Sequence, residues 1–365
     1  MTRRPAIDTA ADPGTLDPLT AVRDHVDKLL RDFLTRRKQQ LVAIDPQLLP
    51  VAEAVARLVL AGGKRIRPAF VYWGYRAGGA GHTAQLWNAA AAVELLQTFA
   101  LIHDDVMDRS SRRRGQPTTH VVLEAHHRSG CLAGDAEWFG IGGAILAGDL
   151  AFVWADELFD ATPLPAAARD RARAVFTELR TELMAGQYLD LVLASTLDAQ
   201  VAQARRVALL KAGRYTVTRP LQLGAAIAGA DPALDAALVA YGDAVGVAFQ
   251  LRDDILGLFG NPGSTGKSVL DDLRQGKRTV LMLQALEMAS TPQRAVLESA
   301  LGRGDVDDRA ADEVRTVVRD CGALTTVEAQ VSVSFEQAVA ALVAVPQPAR
   351  VALEHLAAQA LFRDG

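Results

Sequence analysis

Apolar residues recur along this chain at three- and four-residue steps. Leu19, Val22, Val26, Leu29, Leu30 and Phe33 form one such stripe, with Arg23, Asp27, Lys28 and Arg31 between them. That period is the signature of a helix with one buried face. Similar patterns predict helices over 51–60, 87–102, 166–195, 200–229, 234–258, 279–288 and 310–344. Ala, Leu, Arg, Glu and Gln dominate these segments, and all are strong helix formers. Pro220 is expected to kink or break the 200–229 helix. Residues 124–143 read as loop-like or irregular, and no strand alternation bounded by hairpin turns is evident.

The breaks between these patterns carry turn chemistry: Ala61-Gly62-Gly63, Gly78-Gly79-Ala80-Gly81, Gly115-Gln116-Pro117, Asp231-Pro232 and Asn261-Pro262-Gly263. No repeat of fixed period and no composition shift marks a second domain. The reading is an all-α fold, a single large helical bundle domain over 20–365 with a site in its core. Residues 1–19 are polar and Pro-containing, without the apolar run of a signal peptide, and read as a disordered tail.

Composition narrows the function classes. The 365 residues are 50% hydrophobic, enough for a large buried core. A net charge of −4 gives no indication of a nucleic-acid partner or of electrostatic membrane anchoring. No uninterrupted apolar run of membrane-spanning length occurs, so no stable membrane insertion is expected. Two distant cysteines, Cys131 and Cys321, argue against a disulfide framework and for a reducing cytoplasm.

The chemistry lies where carboxylates interrupt apolar helices. In the stretch 97–108, Asp104 and Asp108 stand four residues apart and share a helix face, with Gln97, Ala100 and Leu101 on or beside it. Like charges at that spacing repel, and carboxylates at the end of an apolar stripe are costly unless paired. A hard divalent cation removes both penalties, because Mg²⁺ takes carboxylate oxygens and keeps water or phosphate as its other ligands. An acidic, solvated helix end accounts equally well for the pair alone. A second group, Gln250 to Asp253-Asp254, again sets two carboxylates at the polar end of a long apolar helix. Two such helices facing each other could hold metal ions with a diphosphate between them.

Basic segments complete the pattern. Lys64, Arg65 and Arg67 follow the Gly62-Gly63 pair, and Arg112-Arg113-Arg114 follow the first acidic helix within one loop. Guanidinium groups bind phosphate oxygens in pairs and stay charged. Lys211, Lys267 and Lys277 lie further along.

In order, GGKRIRP, HDDVMD, RRRGQPTTH, GQYLD, FQLRDD, TGK and DDLRQGKRT make the chain similar to the trans-isoprenyl diphosphate synthases, or polyprenyl synthetases. The resemblance implies Mg²⁺-dependent head-to-tail (1′-4) condensation of isopentenyl diphosphate with an allylic diphosphate, by a homodimer holding three Mg²⁺ per active site. Carried over residue by residue, Asp104, Asp108 and Asp253 would be the metal ligands. Asp105 and Lys211 join them in the catalytic set. Lys64, Arg67, Gln97 and Arg114 would receive isopentenyl diphosphate; Arg113, Lys211, Gln250, Lys267 and Lys277 would receive the allylic diphosphate. Two positions depart from the family pattern. Gly257 stands where many relatives have a third Asp, which puts the role of Asp254 in doubt, and Ala212 stands where Thr is common.

Product length in such enzymes is set by side chains just before the first acidic motif. Phe99 and Ala100 lie five and four residues before Asp104, about 6 to 8 Å along a helix, or one to two isoprene units. A small residue followed by a closing Phe resembles a geranylgeranyl (C20) producer. Farnesyl or longer products, a class I terpene cyclase and a non-catalytic regulatory subunit are the alternatives.

Overall fold

The computed structural model describes residues 19–81, 86–260 and 269–362; the expected disordered tail falls almost wholly outside them. Four helices open the chain: α1 (Thr20–Ile44), α2 (Leu49–Leu60), α3 (Ile66–Ala77) and α4 (Trp87–Met107). A short antiparallel ribbon, β1 (Arg112–Arg113) with β2 (Gln116–Pro117), leads to α5 (Thr119–Ser129), α6 (Ala136–Asp160) and α7 (Ala166–Ala194). Next come α8 (Val201–Val207), a π-helical stretch (Ala208–Thr218), α9 (Arg219–Ala228) and α10 (Pro232–Phe259). The last helices are α11 (Val269–Arg274), α12 (Val280–Met288), α13 (Thr291–Ala300), α14 (Asp308–Asp320), α15 (Ala323–Ala341) and α16 (Ala349–Leu361). The fold is the expected all-α one.

α4 is the axis of the structure. Ala89, Ala90, Ala91, Ala92, Val93, Leu95 and Leu96 are all fully buried, so the helix is enclosed on every side, as an apolar helix must be in water. α6 lies across α4 and α5, while α10 is held between the π stretch and α15. Two apolar clusters result, one around α4 and one around the C-terminal half of α10, with Phe335 packed against both. By length and composition α6 and α10 could each cross a membrane, although neither is an uninterrupted apolar run. Both are integral to the bundle, and α10 carries Asp253 and Asp254 at its polar end.

Three local readings of the sequence need correction. Residues 124–143 are mostly helical, the end of α5 and the start of α6. Gly140 weakens the helical pattern there because its smallness serves packing: a Cβ would sit 2.4 Å from the His120 carbonyl oxygen on α5. The expected 310–344 helix is broken at Gly322, whose φ of 83° ends α14 and starts α15. Pro220 does not interrupt the helical path; it sits at the start of α9, where the π stretch closes.

Candidate active site

The polar end of α4 gathers cations from three other elements. Asp104 accepts hydrogen bonds from Lys211 Nζ at 3.1 Å, Gln187 Nε2 at 3.1 Å and Arg113 Nη2 at 3.2 Å. Burial alone would push its carboxyl up; the charges of Lys211, Lys277 and Arg113 instead hold it well below the usual carboxylate range. Asp108 closes the helix and accepts from Lys277 Nζ at 2.6 Å. Burial depresses the Lys277 ammonium, but Asp108, Asp272 and Asp104 together raise it above its ordinary value. Asp105 turns away from the cavity and takes Arg113 Nε on both oxygens, at 2.9 and 3.0 Å. Its visible work is to aim Arg113.

Arg113 and Arg114 come from the β1–β2 ribbon. The two residues of its turn, Arg114 and Gly115, have φ of 51° and 74°, the double left-handed geometry of a type I′ hairpin. Arg114 donates to the Gly62 carbonyl oxygen at 3.2 Å, tying the ribbon to the loop before α3. Burial and the neighbouring positive charge of Arg113 lower its pKa, with Arg65 and Arg67 adding to the effect and Glu94 opposing it. Such a concentration of like charge favours an incoming polyanion.

Arg67, in the first turn of α3, donates from Nη2 to Thr216 Oγ1 at 2.8 Å, and its guanidinium lies 4.7 Å from the centre of the Tyr215 ring. Tyr215 in turn donates its hydroxyl to Gln97 Oε1 at 2.7 Å. Arg67 and Gln97 are therefore held by one buried tyrosine.

The π stretch delivers Lys211 and Tyr215. Glycines let it approach its neighbours backbone to backbone. A Cβ on Gly246 of α10 would sit 2.4 Å from the Gly213 Cα, and one on Gly186 of α7 would sit 2.5 Å from the Lys211 amide nitrogen. The widened turn is a device found often at functional sites. Lys211 Nζ also donates to Asp190 Oδ2 at 2.6 Å. Burial opposes its charge, and Asp104 and Asp190 restore and raise the ammonium pKa.

The second acidic segment differs. Asp253 and Asp254 both border the cavity; Asp254 is buried and accepts from Gln250 Nε2 at 2.7 Å and from the Val280 amide at 3.1 Å. Burial pushes its carboxyl up to about 7, with the Gln250 hydrogen bond opposing and the charges of Asp253 and Asp272 adding. Gly257 makes room for Asp272 of α11: a Cβ at 257 would lie 2.9 Å from Asp272 Oδ2.

Most of these groups surround one cavity of about 820 Å³, with Asp105 and Asp108 outside its lining. Lys64 and Arg67 line it from the α2–α3 loop and α3, Gln97 and Asp104 from α4, and Arg113 and Arg114 from the ribbon. Lys211, Gln250, Asp253 and Lys277 complete the polar wall, and Leu101, Leu193, Val207 and Phe249 give it an apolar part. Lys267 lies outside the described residues. Phe99 and Ala100 do not line this cavity; Phe99 packs 5.1 Å from the Phe152 ring of α6 and 4.8 Å from His103. Sequence reading gave no role to Gln187, Asp190, Tyr215 or Glu94. GQYLD was legible as a motif, but nothing in it says that Gln187 and Asp190 reach Asp104 and Lys211.

Comparison with known proteins decides the family. A model described as polyprenyl synthetase matches residues 50–319. This chain belongs to the polyprenyl synthetase family. It is a trans-prenyl diphosphate synthase, a transferase of isoprenoid biosynthesis. The synthase is 34% identical over 327 residues to geranylfarnesyl diphosphate synthase of Aeropyrum pernix, covering 88% of this chain and 92% of that one. To (2E,6E)-farnesyl diphosphate synthase of Mycobacterium tuberculosis it is 33% identical over 265 residues, covering 71% and 67%. Its fold matches a solved geranylgeranyl pyrophosphate synthase of Corynebacterium glutamicum, complexed with isoprenyl diphosphate and magnesium. The TM-score is 0.90 at 38% identity, over 94% of this chain and 99% of that one.

Proposed function

We propose that the synthase condenses isopentenyl diphosphate with an allylic diphosphate and releases geranylgeranyl diphosphate, acting as a homodimer with three Mg²⁺ per site. The observation that carries the chemistry is the double lining of one cavity. Lys64, Arg67 and Arg114 line it as one set, and the carboxylates of Asp104 and Asp253 with Lys211 and Lys277 line it as a second. One diphosphate needs only one of these sets. The first set holds isopentenyl diphosphate with Gln97; the second, with Arg113, Gln250 and Lys267, holds the allylic partner.

The donor set fits magnesium. Asp104, Asp108 and Asp253 offer only oxygen, and ammonium groups stand beside the first two at 3.1 and 2.6 Å. That suits an ion held by one or two carboxylates and completed by diphosphate and water. When bound, magnesium neutralises the departing diphosphate. The chain's own groups do the rest. Lys211, Lys277 and Arg113 bind the allylic diphosphate oxygens as the C1–O bond breaks and its electron pair leaves with pyrophosphate. Lys64, Arg67 and Arg114 fix the second substrate so that its alkene attacks C1, and a C2 proton is then lost to pyrophosphate. The apolar wall keeps water from the allylic cation.

The C20 reading rests on Phe99 and Ala100. Phe99 packs against Phe152 and Ala100 stands one turn before Asp104; neither borders the described cavity, so the reading rests on their place before the first acidic motif. Phe99→Ala is expected to lengthen the product, at a stability cost of about 3 kcal/mol for the lost ring. Mass spectrometry of the hydrolysed prenyl alcohols, with each allylic primer in turn, tests both the assignment and the variant; an unchanged chain-length distribution contradicts the ruler.

The homodimer is supported by exposed apolar groups on the outer faces of α6 and α7. Trp138 is 68% exposed, Leu146 62%, Val153 59% and Tyr188 68%. Exposed apolar side chains of this size are what an association surface uses. Sedimentation equilibrium checks it. Cys131 and Cys321 are free thiols, in keeping with a cytoplasmic setting.

A further inference from the structure

Of the three cations around the start of α3, Lys64, Arg65 and Arg67, one is tied up inside the protein. Arg65 sits at the N-terminal end of α3 in the left-handed region, φ 50°, with just 5% of its side chain exposed. Each of its three guanidinium nitrogens is committed to a different helix. Nε donates to Asp27 Oδ1 of α1 at 2.7 Å, Nη1 to Glu94 Oε2 of α4 at 2.7 Å, and Nη2 to the Val59 carbonyl oxygen of α2 at 2.7 Å. Burial disfavours its charge, yet Glu94 and Asp27 raise its pKa above the ordinary arginine value.

This arrangement is costly. A left-handed non-glycine residue is strained, and a buried ion pair often stabilises less than apolar residues of equal volume. Stability alone does not account for it. The position does. Arg65 lies between Lys64 and Arg67 and borders the same cavity, but its guanidinium nitrogens are engaged with Asp27, Glu94 and the Val59 carbonyl oxygen, which leaves Lys64 and Arg67 to meet a ligand. Its partner Glu94 stands one turn before Gln97 on α4, and the loop's Gly62 carbonyl anchors Arg114. One guanidinium thus fixes the loop and the first turn of α3, which carry Lys64 and Arg67, and braces Arg114, against the helix that carries Gln97.

We propose that Arg65 is the positioning residue of the isopentenyl diphosphate subsite. It acts through Lys64, Arg67 and Arg114, and Glu94 and Asp27 hold it in place. The inference rests on assigning those three cations to isopentenyl diphosphate.

The test is a split of kinetic constants in the full-length enzyme with Mg²⁺. KM for isopentenyl diphosphate is measured at saturating allylic diphosphate, and the reverse, for wild type, Arg65→Gln, Arg65→Lys, Glu94→Gln and Lys64→Ala, with Tm alongside. The expected result is a rise of about 10- to 50-fold in KM for isopentenyl diphosphate in Arg65→Gln, with KM for the allylic substrate changed less than about threefold. Arg65→Lys, which keeps the charge but cannot fork to three acceptors, is expected to fall between Gln and wild type. Glu94→Gln is expected to shift the same constant in the same direction, and serves if Arg65→Gln does not fold. Lowered Tm with both KM values unchanged, or both raised equally, overturns the proposal and leaves Arg65 a purely structural ion pair. If Lys64→Ala leaves KM for isopentenyl diphosphate unchanged, the subsite assignment itself fails, separately from the role of Arg65.

Discussion

The two acidic helix ends look alike in sequence and are built in opposite ways. At the end of α4, Asp104, Asp105 and Asp108 are each matched by cations: Lys211 and Arg113, Arg113 again, and Lys277. Those cations come from the π stretch, the ribbon and the α11–α12 loop. Charge compensation keeps Asp104 ionised despite its burial. At the end of α10, Asp254 meets an amide side chain and a backbone N–H, with carboxylates of Asp253 and Asp272 nearby, and its carboxyl rises to about 7. The first end is prepared for a cation before one arrives; the second becomes fully acidic only when positive charge is supplied. Identical residue types thus acquire different tasks from their surroundings.

Removing the prepared end has the largest expected effect. Asp104→Asn takes away a charge that holds Lys211, Arg113 and Gln187 together, and is expected to lower kcat by about 10³-fold or more at saturating Mg²⁺. Steady-state assays over a Mg²⁺ range check it. A loss that high Mg²⁺ fully restores would place the residue in metal affinity alone.

The second end predicts an opposite sign in stability. The folded pKa of Asp254, about 7, lies above its unfolded value of 3.8. Between those values the folded chain holds the extra proton, so the stability of the metal-free protein falls as pH rises from about 4 through about 7. Asp254→Asn abolishes that slope and is expected to stabilise the metal-free enzyme at pH 8 by on the order of 2–4 kcal/mol. Its amide keeps the Val280 contact and pairs with a turned Gln250. Urea denaturation in EDTA at pH 5 and 8 measures it; parallel slopes for the two proteins contradict the comparison.

The smallest effect is at Gly257. A methyl there meets Asp272 Oδ2 at 2.9 Å, and Asp272, about a third exposed, can swing aside. Gly257→Ala is expected to raise the Mg²⁺ concentration for half-maximal rate by about two- to fivefold while leaving Tm within a few degrees. No change would show that the Asp272 carboxylate takes no part at this end.

Much of this was legible beforehand, for a physical reason. Asp104, Asp253, Lys211 and the arginines are polar residues set in or beside apolar helices, and such placement announces itself in a one-dimensional pattern. The rest depends on contacts across the fold. The π stretch hides inside a regular 200–229 pattern because Gly213 widens the helix to meet Gly246, 33 positions away in sequence. Gly140 looked like a break because its packing partner, His120, is on another helix. Arg65 reads as one more phosphate-facing cation, whereas its guanidinium is tied to Asp27, Glu94 and the Val59 carbonyl oxygen. Phe99 reads as a wall of the substrate cavity, whereas its ring contacts Phe152 of α6.

The most direct measurement is incorporation of radiolabelled isopentenyl diphosphate by the purified enzyme, with dimethylallyl, geranyl or farnesyl diphosphate as primer, with Mg²⁺ and then with EDTA. The account requires label in linear prenyl diphosphates only when both an allylic primer and Mg²⁺ are present. Labelled product without a primer, undiminished incorporation in EDTA, or no incorporation with any primer would contradict it.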